Sequence, residues 1–310
     1  MCIRDRHILD LNFLNQKETI ASFLIEDVNG PILIETGPYS NHENLKKAIK
    51  KVGYEIEEIK KVFVTHVHFD HAGGAWAFAK HGATIYTHPS GTKHLRSPEK
   101  LYNSAKRIYK DQMESLWGIM EPIPTKQVVG VKHKEIIKVG KTKIRGLHTP
   151  GHANHHIAWE IKKTLFSGDV AGVKIGENIV MPPCPPPDID VEKWSKSIKL
   201  MLEKRYDNIY LTHFGEVTNV KPHLVELRGR IKNWANWIKP YYQDNIAQEK
   251  VIPIFEQYVK KQLEMGGATP ATIKKYEAAN PAFMSVAGLY RYWQKKEEKA
   301  KDPALLKIND

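Results

Sequence analysis

The stretch THVHFDHAGG, Thr65 to Gly74, sets three histidines and an aspartate within the six positions from His66 to His71. Imidazole nitrogens and carboxylate oxygens are the groups that hold divalent metal ions in catalytic sites. A lone histidine is usually a surface or satisfied core residue, and the chain has 15 of them. A cluster this dense calls for a different account. Along an extended backbone alternate side chains share a face, so His66 and His68 can point the same way while a turn brings Asp70 and His71 beside them. One loop can thus serve two metal ions. Ions so held lower the pKa of a bound water to around 7 and polarise carbonyl or phosphoryl oxygens, so the chemistry to expect is hydrolysis.

Three further stretches put ligand-type residues at the ends of apolar runs: TPGHANHH with His152, FSGDV with Asp169 and LTHFG with His213. The first cluster has the same layout, since it follows the strand-like KKVFV and closes on Gly73-Gly74 and a helical pattern. Strand ends of a layered fold lie along one edge, so four such ends can converge on one cleft. Thr65, Thr149 and Thr212 lie beside these ligands and are candidates to hydrogen-bond them.

The elements that must position these groups are legible in outline. TIASFLIED and GPILIET read as two strands joined at Asn29-Gly30. NHENLKKAIKKVG reads as a helix with Asn41 as N-cap and Gly53 beyond its end. After the cluster come a short helix to about Lys80 and the strand ATIYTH, giving a layered α/β order. Residues 98–128 break the rhythm: SPEKLYNSAKRIYKDQMESLWGIMEPIP predicts one amphipathic helix carrying Leu101, Ile108, Tyr109, Met113 and Leu116, ended by Pro122 and Pro124, a candidate lid. EIIKVG, TKIRGLHTPGH, HHIAWEI and TLFSGDV then read as strands of a second sheet. The five prolines of IVMPPCPPPDID impose a stiff extended segment. VEKWSKSIKLMLEKR is a helix and NIYLTHFG a strand. Beyond Lys221 the chain reads as successive helices, with Pro270 placed at a first turn.

Hydrophobic and charged contents of 41% and 26% are those of a globular chain. The net charge of +12 raises nucleic acid, a membrane surface or anionic substrates, but the lysines are dispersed among glutamates, as on a solvated surface. Only Cys2 and Cys184 are present, so a disulfide framework is not expected and a CxxC zinc site is excluded. Any metal must therefore bind through histidine and carboxylate. No apolar run approaches the roughly 18 residues of a spanning helix, and MCIRDRHILDLN lacks a signal-peptide core, so a cytoplasmic location is expected. Met1 to Arg6 match no surrounding pattern and are assigned no function.

The HxHxDH cluster and the later GH, GD and TH stretches, in this order from about Thr19 to Gly215, resemble the hydrolase branch of the metallo-β-lactamase fold superfamily. The resemblance implies a four-layer αββα sandwich with the centre at one edge of the paired sheets. Residues 1–220 would form that domain, with a helical insertion at about 98–125, and residues 221–310 a helical C-terminal extension packed on it. The resemblance also implies that His66, His68 and His152 hold one metal ion, that Asp70, His71 and His213 hold a second, and that Asp169 bridges them. The ions would be two divalent metals per chain, zinc by default, with manganese or iron also suited. Dizinc β-lactamases typically carry cysteine where Asp169 stands, which turns the reading away from antibiotic hydrolysis. The diiron redox branch carries glutamate where His68 stands, which argues for hydrolysis. TPGHANHH resembles the TPGHTPGH segment of thioesterase-like members, with His155 in place of a common glycine and His156 as a structural histidine.

These features predict a dinuclear metallohydrolase in which a bridging hydroxide attacks, and in which Asp70 orients it and passes a proton to the leaving group. Pro182 to Asp188 would form one wall of the cleft. Trp117, Met120, Phe283, Tyr290, Tyr292 and Trp293 are candidates to cover an apolar pocket, with core packing the alternative for each. Such a pocket suits a small or medium carboxyl ester, lactone, thioester or phosphoester. The alternatives are a nuclease of the same superfamily, which the absence of an RNA-binding module or basic aromatic patch disfavours, and a non-hydrolytic diiron redox protein. The partner expected is a small molecule, with no nucleic acid, no membrane and a possible homodimer.

Overall fold

The apolar runs read as strands assemble into two facing six-stranded sheets. The computed structural model describes residues 6–301. In chain order the first sheet's elements are β1 (Arg6–Asp10), β2 (Ala21–Ile25), β3 (Ile32–Ile34), α1 (His42–Lys51), β4 (Lys61–Phe63), α2 (Phe69–Ala72), α3 (Ala75–Lys80), β5 (Thr84–Thr87), α4 (Thr92–Arg96), α5 (Glu99–Tyr109), α6 (Met113–Trp117) and β6 (Val128–Gly130). Its strand order is β1-β2-β3-β4-β5-β6, parallel from β3 onward. The second half runs β7 (Ile136–Val139), β8 (Thr142–His148), β9 (Ile157–Ile161), β10 (Thr164–Phe166), α7 (Val191–Lys204), β11 (Asn208–Leu211) and β12 (Gly215–Val217). Here the order is β12-β11-β10-β9-β8-β7, with β10 and β11 parallel and the other neighbours antiparallel. Four helices follow: α8 (Val220–Gln243), α9 (Gln248–Met265), α10 (Pro270–Ala279) and α11 (Ala282–Lys301).

Side-chain alternation explains the layering, because both faces of each central strand are apolar. Phe23, Ile34 and Phe63 of the first sheet meet Trp159, Phe166 and Tyr210 of the second in the middle of the sandwich. Their alternates Leu24, Leu33 and Val62 face α1 and α3 outside the first sheet. Ala158, Leu165 and Ile209 face α7 and α8 outside the second. The result is the four-layer αββα sandwich expected from the sequence, with a helical C-terminal region. In α8 the buried positions Val220, Leu224, Leu227, Ile231, Trp234 and Ile238 recur every three or four residues, so one stripe of a 24-residue helix is covered. α10 starts at Pro270 behind Thr269, whose hydroxyl caps the backbone N–H of Thr272 at 3.2 Å. Among the described residues no helix is long and apolar enough to cross a membrane.

Several local expectations are corrected. The single helix expected over residues 98–121 breaks at Lys110, whose φ of 48° and ψ of −122° lie outside helical space, and resumes as α6. The register shift turns Leu116 and Trp117 back toward the β1–β2 connection, where Trp117 stacks on Phe13 at 5.5 Å between centroids. Asn41 stands at the N-cap of α1 but its side chain makes no cap bond; its Nδ2 donates to the Leu11 carbonyl at 2.9 Å. Arg6, set aside with the first six residues, opens β1 and donates to Thr164 Oγ1 at 2.6 Å, while residues 1–5 lie outside the described residues. The short strands β6 and β12 had no distinct sequence signal. Met120, Tyr290 and Tyr292 are core residues, and Trp293 packs on α8 with its indole N–H donating to the Ala235 carbonyl at 2.8 Å.

Candidate metal centre

β4, β8, β10 and β11 all end on one edge of the sandwich, and each delivers its ligand-type residues just beyond its last paired residue. The seven side chains singled out in the sequence come together there in two groups. His66, His68 and His152 offer ligand atoms within 4.8 Å of one another, and so do Asp70, His71, Asp169 and His213. His68 Nδ1 lies 2.8 Å from His66 Nε2 and 3.1 Å from His152 Nε2. Asp169 stands between the groups. Its Oδ2 is 3.3 Å from His152 Nε2, while its Oδ1 is 3.2 Å from His71 Nε2 and 3.5 Å from His213 Nε2. Asp70 Oδ2 lies 3.2 Å from His213 Nε2 and 3.6 Å from His71 Nε2.

The outer nitrogen of four of these histidines is held by the scaffold. His152 Nδ1 donates to the Pro183 carbonyl at 2.9 Å, and His213 Nδ1 donates to the Thr19 carbonyl at 2.8 Å. His71 Nδ1 donates to Glu35 Oε1 at 3.1 Å. The Thr65 hydroxyl donates its one proton to the same Glu35 oxygen, so at 3.0 Å it must accept from His66 Nδ1. Each brace fixes a tautomer that turns Nε2 inward as a lone-pair donor. Glu35 was not singled out in the sequence; the available signal was a carboxylate directly after the buried run ILI, where a charge needs partners. It is fully buried at φ 62°, a left-handed conformation glutamate rarely takes. Of the threonines, Thr65 braces His66 and Thr149 bonds His156 Nδ1 at 2.8 Å, whereas the Thr212 hydroxyl has no partner among the described residues and its carbonyl accepts from the Ala21 N–H. Gly168 precedes Asp169 at φ 51°, and a Cβ there would lie 2.3 Å from Thr65 Oγ1, so only glycine lets this loop approach the brace.

The electrostatics divide the same way. Burial pushes His66 well down and His68 down to about 3, so this group is neutral and ready to coordinate. Burial also opposes charge on His71 and His213, but Asp169 and Asp70 outweigh it and raise both. The same histidines hold Asp169 and Asp70 below the ordinary carboxylate range against the burial that would raise them. His71 Nε2, His213 Nε2 and Asp169 Oδ1 are nevertheless buried without a well-aligned hydrogen bond. Buried donors and acceptors that converge without satisfying one another are what a cation would complete, and the donor set fits divalent metal.

The centre opens into a cleft of about 710 Å³, walled by Leu101, Ile108, Leu116, Trp117, Phe283 and Met284 and by the prolines Pro183 to Pro187. α10 and α11 hold that proline segment: the Cys184 N–H donates to Ser285 Oγ at 3.3 Å and Asn280 Nδ2 to the Pro182 carbonyl at 3.2 Å. Gly288 of α11 sits so close that a Cβ would lie 1.9 Å from the Cys184 carbonyl. Cys184 is a free, buried thiol, and Cys2 lies outside the described residues.

Fold and constellation together define an αββα protein with a two-part His/Asp centre at the sheet edge. The chain belongs to the metallo-β-lactamase superfamily, whose sequence profile matches residues 17–213. A metallo-β-lactamase fold-containing protein of Sulfurisphaera tokodaii, ST1585, is 28% identical over 167 residues, 53% of this chain and 63% of that protein. The crystal structure of ST1585 matches with a TM-score of 0.59 at 24% identity, covering 76% of this chain and 87% of its own. The metallo-β-lactamase family protein TTHA1429 of Thermus thermophilus shares the fold over 94% of both chains, with a TM-score of 0.65 at 18% identity. An N-acyl homoserine lactonase of a Bacillus species is 37% identical over 79 residues, 18% of this chain and 32% of that enzyme. In the sequence matches the chain thus spans less than two thirds of the length of ST1585 and of the lactonase.

Proposed function

We propose that the protein is a dinuclear metal-dependent hydrolase of small or medium ester-type substrates. The observation that carries this reading is the placement of Asp169, with one carboxylate oxygen toward His152 and the other toward His71 and His213. His66, His68 and His152 would hold one divalent ion, Asp70, His71 and His213 a second, and Asp169 would bridge them. Two such ions, zinc by default for a histidine-rich set, supply an activated water and polarise the substrate's electrophilic oxygen.

The chain's own groups do the rest. Asp70 is the carboxylate of the centre most open to the cleft, its side chain 19% exposed against 4% for Asp169. Held below the usual carboxylate range, it can accept a proton and pass it to a leaving oxygen. The apolar walls exclude bulk water and hold the hydrocarbon part of a substrate next to these groups. The matching stretch of N-acyl homoserine lactonase supports ranking lactones and carboxyl esters first among the candidates. The apolar cleft weighs against a nuclease, which needs a basic groove with stacking aromatics.

Metal content by plasma mass spectrometry, measured alongside turnover of carboxyl esters, lactones, thioesters and phosphoesters, tests the reading. About two ions per chain and turnover that His68→Ala loses are expected. Two ions with no turnover of any panel member would sink it.

A further inference from the structure

On the cleft wall nearest the histidine trio stand three polar side chains that the centre does not use. His155 lies three residues beyond His152, His94 is on α4, and Asp188 closes the proline segment; all three line the cleft. Ring centroids of His155 and His68 are 5.9 Å apart, and those of His155 and His94 5.8 Å. His155 is 9% exposed, and its Nδ1 is buried with no hydrogen-bond partner among the described residues. Most buried nitrogens find a partner, because one left unpaired forfeits its hydration without return. Nδ1 of each neighbouring histidine does find one, His152 on Pro183 and His156 on Thr149, while His156 Nε2, which does not line the cleft, is buried unpaired among the described residues. Asp188 is oriented by the Asn154 N–H at 3.4 Å and by Lys295, whose Nζ is 3.8 Å from Oδ1.

We infer that His155, with His94 beside it and Asp188 close by, forms a polar subsite for a neutral hydrogen-bonding group of the substrate, an amide or a hydroxyl. The apolar wall opposite takes the substrate's hydrocarbon chain. The inference rests on the hydrolase reading only in calling the ligand a substrate. Neutral imidazole donates or accepts at Nδ1 according to its tautomer, and an amide can meet either need through its oxygen or its N–H. A carboxylate or phosphate in the same place would meet the Asp188 carboxylate, whose charge Lys295 offsets only in part at 3.8 Å, and this selects against it. An alkyl group there would leave the imidazole unpaired, and a site built to bond a polar group discriminates strongly against the analogue that lacks it.

Calorimetric titration of the full-length protein with octanamide, its methyl-ketone isostere 2-nonanone and octanoate reads the subsite without turnover. Octanamide should bind about tenfold more tightly than 2-nonanone, equivalent to about 1.4 kcal/mol. His155→Phe should abolish the preference while leaving 2-nonanone within twofold, and His155→Asn should recover part of it. Equal binding of amide and ketone by the unaltered protein overturns the inference, as does parallel weakening of both ligands in each variant. A preference for octanoate that His155→Phe removes overturns it in favour of an anion site at His155. An intact amide preference in a protein that turns over no ester would leave the subsite standing and remove the hydrolase reading, so the two failures are distinct.

Discussion

Glu35 Oε1 lies 3.1 Å from Nδ1 of His71 and also takes the Thr65 hydroxyl, so one buried carboxylate orients a histidine in each half of the centre. Glu35→Gln keeps the volume and can leave an oxygen in the Oε1 position, but it removes the negative charge and turns an amide N–H toward the Thr65 backbone N–H that Oε2 accepts at 3.3 Å. Metal affinity should fall about 10–100-fold at both positions, as for other partners of metal-binding histidines. Competition with a chromogenic chelator measures this; affinity unchanged at either position would show that the carboxylate braces only one half.

Asp70→Asn removes the proton acceptor while keeping a ligand-sized group beside His213. Turnover should fall by about 10² or more, the usual share of general acid–base catalysis. Metal content should drop by at most the ion held with His71 and His213. Undiminished kcat in the fully loaded variant would take the proton-transfer role away from Asp70.

The two histidine groups should load metal with different pH dependence. His71 and His213 have raised pKa values because Asp169 and Asp70 outweigh burial, so below those raised values they carry protons that a metal must displace. Their affinity therefore rises with pH through their raised pKa values. His66 and His68, pushed down by burial, are already deprotonated, and their affinity stays flat until far lower pH. On dialysis from pH 8 to pH 5.5 one ion per chain should leave first and the second persist. Loss of both ions over the same interval would count against this division.

Gly168→Ala forces a methyl group toward Thr65 Oγ1 from a left-handed backbone position. Strain of this kind costs on the order of 1–3 kcal/mol, and here it also displaces the hydroxyl that links His66 to Glu35. Urea unfolding should show that loss together with weaker metal binding. A stability loss with unchanged metal affinity would mean that the loop relaxes away from Thr65 without disturbing the brace.

The convergence of the seven candidate ligands was legible in the sequence because each is a polar residue at the end of an apolar strand, and such strand ends share one edge of a layered fold. Glu35 met the same criterion at the end of ILI but stood alone, without the density that makes HxHxDH stand out. The break at Lys110 was invisible because YKDQ contains neither glycine nor proline, and the apolar spacing continues through Met113 and Leu116. His155 looked like a departure in a turn motif; that it is buried and unpaired depends on α4 and the proline segment closing around it, contacts no local pattern encodes. The aromatics of the C-terminal helices divided between cleft and core for the same reason, Phe283 lining the cleft and Tyr290 and Tyr292 packing inward.

The proline segment that presents the Pro183 carbonyl to His152 is held in place by Asn280, Ser285 and Gly288, all far downstream of the last ligand, His213. During synthesis on the ribosome every ligand therefore emerges well before the helices that finish the orientation of His152. A nascent chain paused after β12 already carries the full ligand set, but its His152 still lacks the helices that steady its partner. The brace between Pro183 and His152 is thereby completed only after α10 and α11 have closed over the prolines.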